Sequence, residues 1–183
     1  MTITVIRHSI LNRGGDKVVL QYLADLTRKG YEVTYWVNEI NTDFPVDLKI
    51  LIKKIPIPGV VGTILFSLFR KIKTDVILVD LVVMALFCSL RNMGKVAYLA
   101  QGYDLSYHKS IFFNFFIDFS YRRVLNQWAV PTVAVSQGLA ARLERYQPRH
   151  LHIIPNGVDL DVFLRRKNSP YHAQKKKRFV VLF

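Results

Sequence analysis

"DVILVDLVVMALFCSLRNMGKVAYLA" (residues 75–100) reads as strand, helix, strand. "DVILVD" (75–80) is almost entirely apolar, as a parallel strand covered on both faces must be. The run that follows is too long for a strand and ends at Asn92-Met93-Gly94, a helix stop. "KVAYLA" (95–100) then returns as a second apolar strand. Two strands joined by a helix of this length lie parallel in one sheet.

The same alternation extends in both directions. Upstream, "TITVIR" (2–7) is a β-branched strand, followed by a loop with Asn12, Gly14 and Gly15. Val18, Val19, Tyr22, Leu23 and Leu26 recur at helical spacing until Gly30 stops the helix. "YEVTYWV" (31–37) and "DLKILI" (47–52) are the next strands. Pro56 and Pro58 introduce a helix whose apolar face runs from Val60 to Ile72, with Arg70, Lys71 and Lys73 crowding its end. Downstream come an aromatic helix over about 107–126, a strand "TVAVS" (132–136), a helix from Gln137 to Tyr146 and a strand "LHIIP" (151–155). The pattern predicts an α/β, Rossmann-like, doubly wound and mostly parallel sheet of about seven strands.

Residues 1–163 read as one domain. "IIPNGVDLDVF" (153–163) closes it: Asn156-Gly157 suits a tight turn, and Val158, Leu160 and Phe163 anchor the outgoing chain. Residues 164–177 read as a basic linker, and "RFVVLF" (178–183) as the first strand of a truncated second domain.

A chain of 183 residues, 51% of them hydrophobic, can bury a full core and is not disordered. The single cysteine, Cys88, excludes an internal disulfide framework and fits a reducing, cytoplasmic compartment. Its apolar surroundings favour a small core residue over a nucleophile. No secretory leader is visible, and no apolar run reaches the ~20 residues of a membrane-spanning helix. The net charge of +13 attracts anions: phosphorylated substrates, anionic lipid surfaces or nucleic acid.

In open α/β sheets ligands bind beyond the carboxyl ends of the strands, where strand order reverses. That rule selects His8–Gly15, Asp80, Gln101–His108 and Ser136. Gly14 and Gly15 precede the first helix, so they either let bare backbone and a helix N-terminus meet an anion or form an ordinary turn. Asp104 could act as a general base toward a hydroxyl or cap the helix after it, with Ser106 as a rival cap. His108 is the other candidate base, or a solvated residue. His8 stands at the mouth of the first strand, in reach of a ligand or on the surface. Asn156 braces its turn or touches a ligand. Neither G-x-G-x-x-G, a P-loop, a nucleophile elbow nor metal-ligand spacing is present. The aromatic helix, with Phe112, Phe113, Phe115, Phe116 and Phe119, packs in a core, lines a lipid-like acceptor or meets a membrane surface.

"RGGDKVVLQYLADLTRKGYEVTYWV" (13–37), "VAVSQGLAARLERY" (133–146) and "LHIIPNGVDLDVF" (151–163) resemble, in order, landmarks of the retaining, glycogen-synthase-like group 1 (family 4) glycosyltransferases of GT-B fold. The last is the most specific of the three. The resemblance covers about residues 1–183 and implies the N-terminal, acceptor-binding half of a two-domain enzyme. It further implies a nucleotide-sugar co-substrate, no metal, and Gly14 and Gly15 beside the donor phosphates and acceptor. Strand-end topology and the resemblance together select as substrate-binding Gly14, Gly15, His8, Gln101, Gly102, Tyr103, Ser136 and Asn156, with Asp104 and His108 as catalytic candidates. Many members carry a His after the fifth strand; here "QGYD" (101–104) stands instead, offering Gln101 or Asp104.

The expectation is therefore a transferase domain for a bacterial cell-surface polysaccharide or glycolipid, inactive without its donor-binding half. Its acceptor would be a sugar or a lipid-linked sugar, and its place cytoplasmic, peripheral at the inner membrane face. The alternative is a non-catalytic α/β module that binds anions or nucleic acid, or docks on a membrane surface. The scattered basic residues and the lack of any nucleic-acid-binding signature count against nucleic acid.

Overall fold

The computed structural model describes residues 1–47, 49–107 and 109–157. Among these, seven strands form one wholly parallel sheet: β1 (Thr2–Leu11), β2 (Glu32–Asn41), β3 (Leu51–Lys54), β4 (Val76–Val79), β5 (Val96–Ala100), β6 (Thr132–Ala134) and β7 (Leu151–Ile153). Their order is β3-β2-β1-β4-β5-β6-β7, with the reversal of direction between β1 and β4. The helices are α1 (Gly14–Arg28), α2 (Gly59–Phe69), α3 (Val82–Asn92), α4 (Ile111–Tyr121) and α5 (Gln137–Glu144).

Right-handed crossovers put α1 on one face and α2 to α5 on the other. The two cores record this division. Val19, Leu20 and Leu23 of α1 pack with Val5, Val33 and Tyr35. Phe66, Leu86, Ile117 and Leu139, one from each of the other helices, pack with Ile6, Ile77 and Tyr98. Alternate residues of β1 thus serve different faces, and an almost continuous apolar strand results.

The strand assignments from the sequence hold, with shifted limits. β1 and β2 run on to Leu11 and Asn41 because they pair with each other that far. β3 begins at Leu51, not at 47: Asp47 forms a turn, its carboxylate accepting from Lys49 N at 2.9 Å and its carbonyl from Ile50 N at 3.0 Å. α2 ends at Phe69, where Arg70 turns extended, so the basic cluster lies beyond the helix. The aromatic helix is broken up. Asp104–Tyr107 is a separate 3-10 turn, α4 spans only Ile111–Tyr121, and a π turn continues it to Gln127. Cys88 is fully buried, and burial pushes its thiol up to about 12, as a core residue and not a nucleophile. The expected linker, the strand 178–183 and the anchors Val158, Leu160 and Phe163 lie outside the described residues.

Candidate functional site

Past Val5, β1 has no partner on its β4 side, while β2 accompanies it to Leu11. A crevice therefore opens where the strand order reverses, the place such sheets use for ligands. Arg7 lies in it and holds three elements together. Its Nη1 is 2.6 Å from Asp16 Oδ1 in the first turn of α1, and its Nη2 is 2.6 Å from Asp80 Oδ2 just after β4. Asp16 Oδ2 also accepts from Leu11 N at 3.0 Å. Burial alone would lower the Arg7 pKa, but the neighbouring Asp80, Tyr35 and Asp16 outweigh it and the net shift is upward. Burial pushes the Asp80 carboxyl up, against the pull of Arg7. The guanidinium and two carboxylates fix the start of α1, and with it Gly14-Gly15, against the carboxyl end of β4.

No side chain caps α1, and the one carboxylate in its first turn, Asp16, is held by Arg7 and Leu11 N. Gly15 lies against the loop after β5: a Cβ there would meet Gln101 Oε1, so any larger residue would have to push that side chain aside. The glycine pair and the loop after β5 thus meet directly. Gln101 Nε2 is buried with no hydrogen-bond partner among the described residues. Gly102 is in the same position toward Tyr107, whose exposed ring covers it.

A pocket of about 290 Å³ follows, lined by Gln101, Gly102, Tyr103, Ser136 and Arg142 among others. It joins the loop after β5 to the first turns of α5. Ser136 caps α5, its Oγ accepting from Leu139 N at 3.2 Å. Arg142 stands 5.7 Å from the Tyr103 ring centroid, so the pocket carries a positive charge over an aromatic wall. Tyrosines support that wall. Tyr103 stacks on Tyr121 at 5.7 Å and Tyr121 on Tyr146 at 4.7 Å, while the Tyr103 and Tyr146 hydroxyls are 3.1 Å apart.

Asp104 is turned away from this pocket. It is 4% exposed, and its Oδ2 accepts from Val82 N at 2.7 Å, while its backbone N donates to the Tyr121 hydroxyl at 3.0 Å. Of its two readings the cap is the one found, on α3 instead of the helix that follows it. Through the bond from Val82 N the carboxylate ties the loop after β5 to the start of α3. Burial raises its pKa to about 7, opposed by the hydrogen bond from Val82.

Gly14, Gly15, Gln101, Gly102, Tyr103 and Ser136 are therefore brought to one end of the sheet. His8 and Asn156 each bond to a helix. His8 Nδ1 lies 3.1 Å from Thr63 Oγ1 of α2, and Asn156 Oδ1 accepts from Tyr22 of α1 at 3.0 Å. His108 lies outside the described residues. Arg7 and Arg142 were not singled out by sequence reasoning. A lone arginine in the apolar run 2–11 was the available signal for the first; nothing local marks the second. Among the described residues no three His, Cys, Asp or Glu are grouped to hold a metal ion.

The family model for Glycosyltransferase Family 4 matches residues 12–162. No curated protein matches the sequence. Among solved structures, the crystal structure of WaaG, a glycosyltransferase involved in lipopolysaccharide biosynthesis, superimposes with a TM-score of 0.62 at 10% identity. The match covers 87% of this chain and 46% of that one, and it shows a shared fold.

Proposed function

The chain belongs to glycosyltransferase family 4, and from that premise we propose that it is the acceptor-binding part of a nucleotide-sugar-dependent glycosyltransferase of bacterial cell-surface polysaccharide or glycolipid synthesis. The observation that carries the reading is the meeting of Gly15 with Gln101 at the switch-point end of the sheet, next to a cationic pocket. The N-terminus of α1 faces the donor phosphates, so that helix dipole and backbone groups meet their charge without a metal. The unpartnered Gln101 Nε2 donates to a sugar oxygen, and Arg142 with Tyr103 orients the acceptor. The match to 46% of the WaaG chain supports a partition in which a second domain supplies the rest of the donor site. The setting is cytoplasmic, in keeping with one buried, unpaired thiol.

The test is donor consumption by the full-length protein over a panel of nucleotide-sugars, with a membrane extract as acceptor source. Labelled sugar is expected in the lipid or polysaccharide fraction, and Gln101→Ala should reduce transfer by about tenfold or more. Consumption of no donor in the panel would sink the reading. Residues 1–183 alone are expected to turn over none, and turnover by them would refute the partition.

A further inference from the structure

Two helices of the four-helix face present apolar side chains to solvent where a folded domain normally hides them. On α4, Ile111 and Phe112 are each 87% exposed and Phe115 is 76% exposed. On α2, Val60, Val61 and Phe69 are exposed, as is Ile57 just before it. An apolar groove of about 380 Å³ runs along α2 between Ile57 and Phe69, with Arg70 at its end. α2 and α4 flank α3 in one layer, and each begins at the carboxyl end of the strands. Val60, Val61, Ile111 and Phe112, in the first turns, therefore lie at the end of the sheet that holds Gly15 and Gln101.

Around α2 and the outward-facing start of α4 the charge is of one sign, while Asp118 near the end of α4 is paired with Arg122 and Arg145. Between Asp47 and Asp75 there is no acidic residue, while Lys49, Lys53, Lys54, Arg70, Lys71 and Lys73 all occur. Between Asp104 and Asp118 there is again none, and Lys109 is exposed immediately before α4. Arg123 flanks the other end, 5.4 Å from the Phe119 ring centroid. Exposed aromatic and aliphatic side chains bordered by lysine and arginine have the chemistry of a helix lying in a membrane interface. A second copy of the chain fits poorly, because it would bring like charges together around the apolar contact.

We propose that α2 and α4 form a docking surface for an anionic lipid bilayer, into which Ile111, Phe112 and Phe115 of α4 and Val60 and Val61 of α2 insert. Because the inserting residues stand at the site end of the sheet, docking sets the pocket beside the headgroup plane. The acceptor is then lipid-borne and reaches the pocket without leaving the membrane. This last step rests on the transferase reading; the docking itself does not.

The test is co-sedimentation of the full-length protein with vesicles of phosphatidylcholine containing about one third phosphatidylglycerol. Binding is expected, strongly reduced on pure phosphatidylcholine and at high salt. Phe112→Ser with Phe115→Ser should weaken it by about tenfold or more, and Lys109→Gln by about fivefold. Both changes are at exposed positions and should leave the thermal midpoint unchanged. A polarity-sensitive dye on Val61→Cys should shift to the blue with vesicles, while one on Gln21→Cys of α1, on the opposite face, should not; Cys88 is buried and stays unlabelled. Vesicle binding undiminished in the double phenylalanine variant overturns the proposal, as does failure of the unaltered protein to bind. A concentration-dependent dimer that this variant abolishes, without vesicle affinity, overturns it in favour of a second copy. Because no donor is used, these outcomes are independent of transfer to a detergent-solubilised acceptor.

Discussion

α3 and α4 are helices of equal length, both strongly apolar, side by side in one layer, yet they meet opposite fates. α3 buries Val82, Met84, Ala85, Leu86 and Cys88 between the sheet and its neighbours. α4 buries only Ile117, Ser120 and Tyr121 and turns its first two turns of large side chains outward. Hydrophobicity decides that a helix forms an interface; its neighbours decide whether that interface is inside the molecule. α3 lies between α2 and α4, whereas the first two turns of α4 follow a separate 3-10 turn and leave their large side chains uncovered.

The contrast breaks most readily at α3. Leu86→Ala should cost about 2–5 kcal/mol in chemical denaturation, since the deleted atoms leave a cavity in a packed core. A cost below about 1 kcal/mol would mean that α3 is no better packed than α4. Next comes its cap. Asp104 has a folded pKa of about 7, raised by burial above the ordinary carboxylate value. The folded protein therefore holds this proton more tightly than the unfolded chain. The stability it contributes is full below about pH 4 and is lost as pH rises towards about 7, on the order of 2–4 kcal/mol over that window. Asp104→Asn should flatten the slope, and an unchanged slope would assign it to other groups.

A smaller effect sharpens the boundary between the two helices. Tyr121 of α4 accepts from Asp104 N, tying the buried turn of α4 to the cap of α3. Tyr121→Phe should cost about 1–2 kcal/mol by leaving that amide unpartnered. The smallest is expected at the tip of α4, where Phe112→Ser should change stability by no more than about 0.5 kcal/mol. A large loss there would show that the exposed ring is packed in solution.

The strand–helix alternation was legible because buried parallel strands are uniformly apolar and the helices carry their own period, as 75–100 illustrates. The start of β3 falls later than its composition suggests because Asp47 makes a turn there. Gly14, Gly15, Gln101 and Ser136 could be assigned to one end of the sheet, since topology alone sends strand ends there. That Gln101 touches Gly15, and that Asp104 faces inward, depends on loop geometry between distant segments, which no periodicity encodes. Arg7 was missed for the same reason: its meaning lies in Asp16 and Asp80. The aromatic helix was visible as an anomaly, but a sequence does not show which of its faces a neighbour covers.

Cys88 gives this layer a chemical clock. It is the only thiol, it is wholly enclosed, and it sits on α3 between α2 and the sheet. An alkylating reagent can reach it only when that layer parts, so the labelling rate, set against that of a free cysteine, measures the equilibrium of opening. Followed with and without vesicles, the same rate would report how much a bilayer resting on α2 and α4 holds the layer shut.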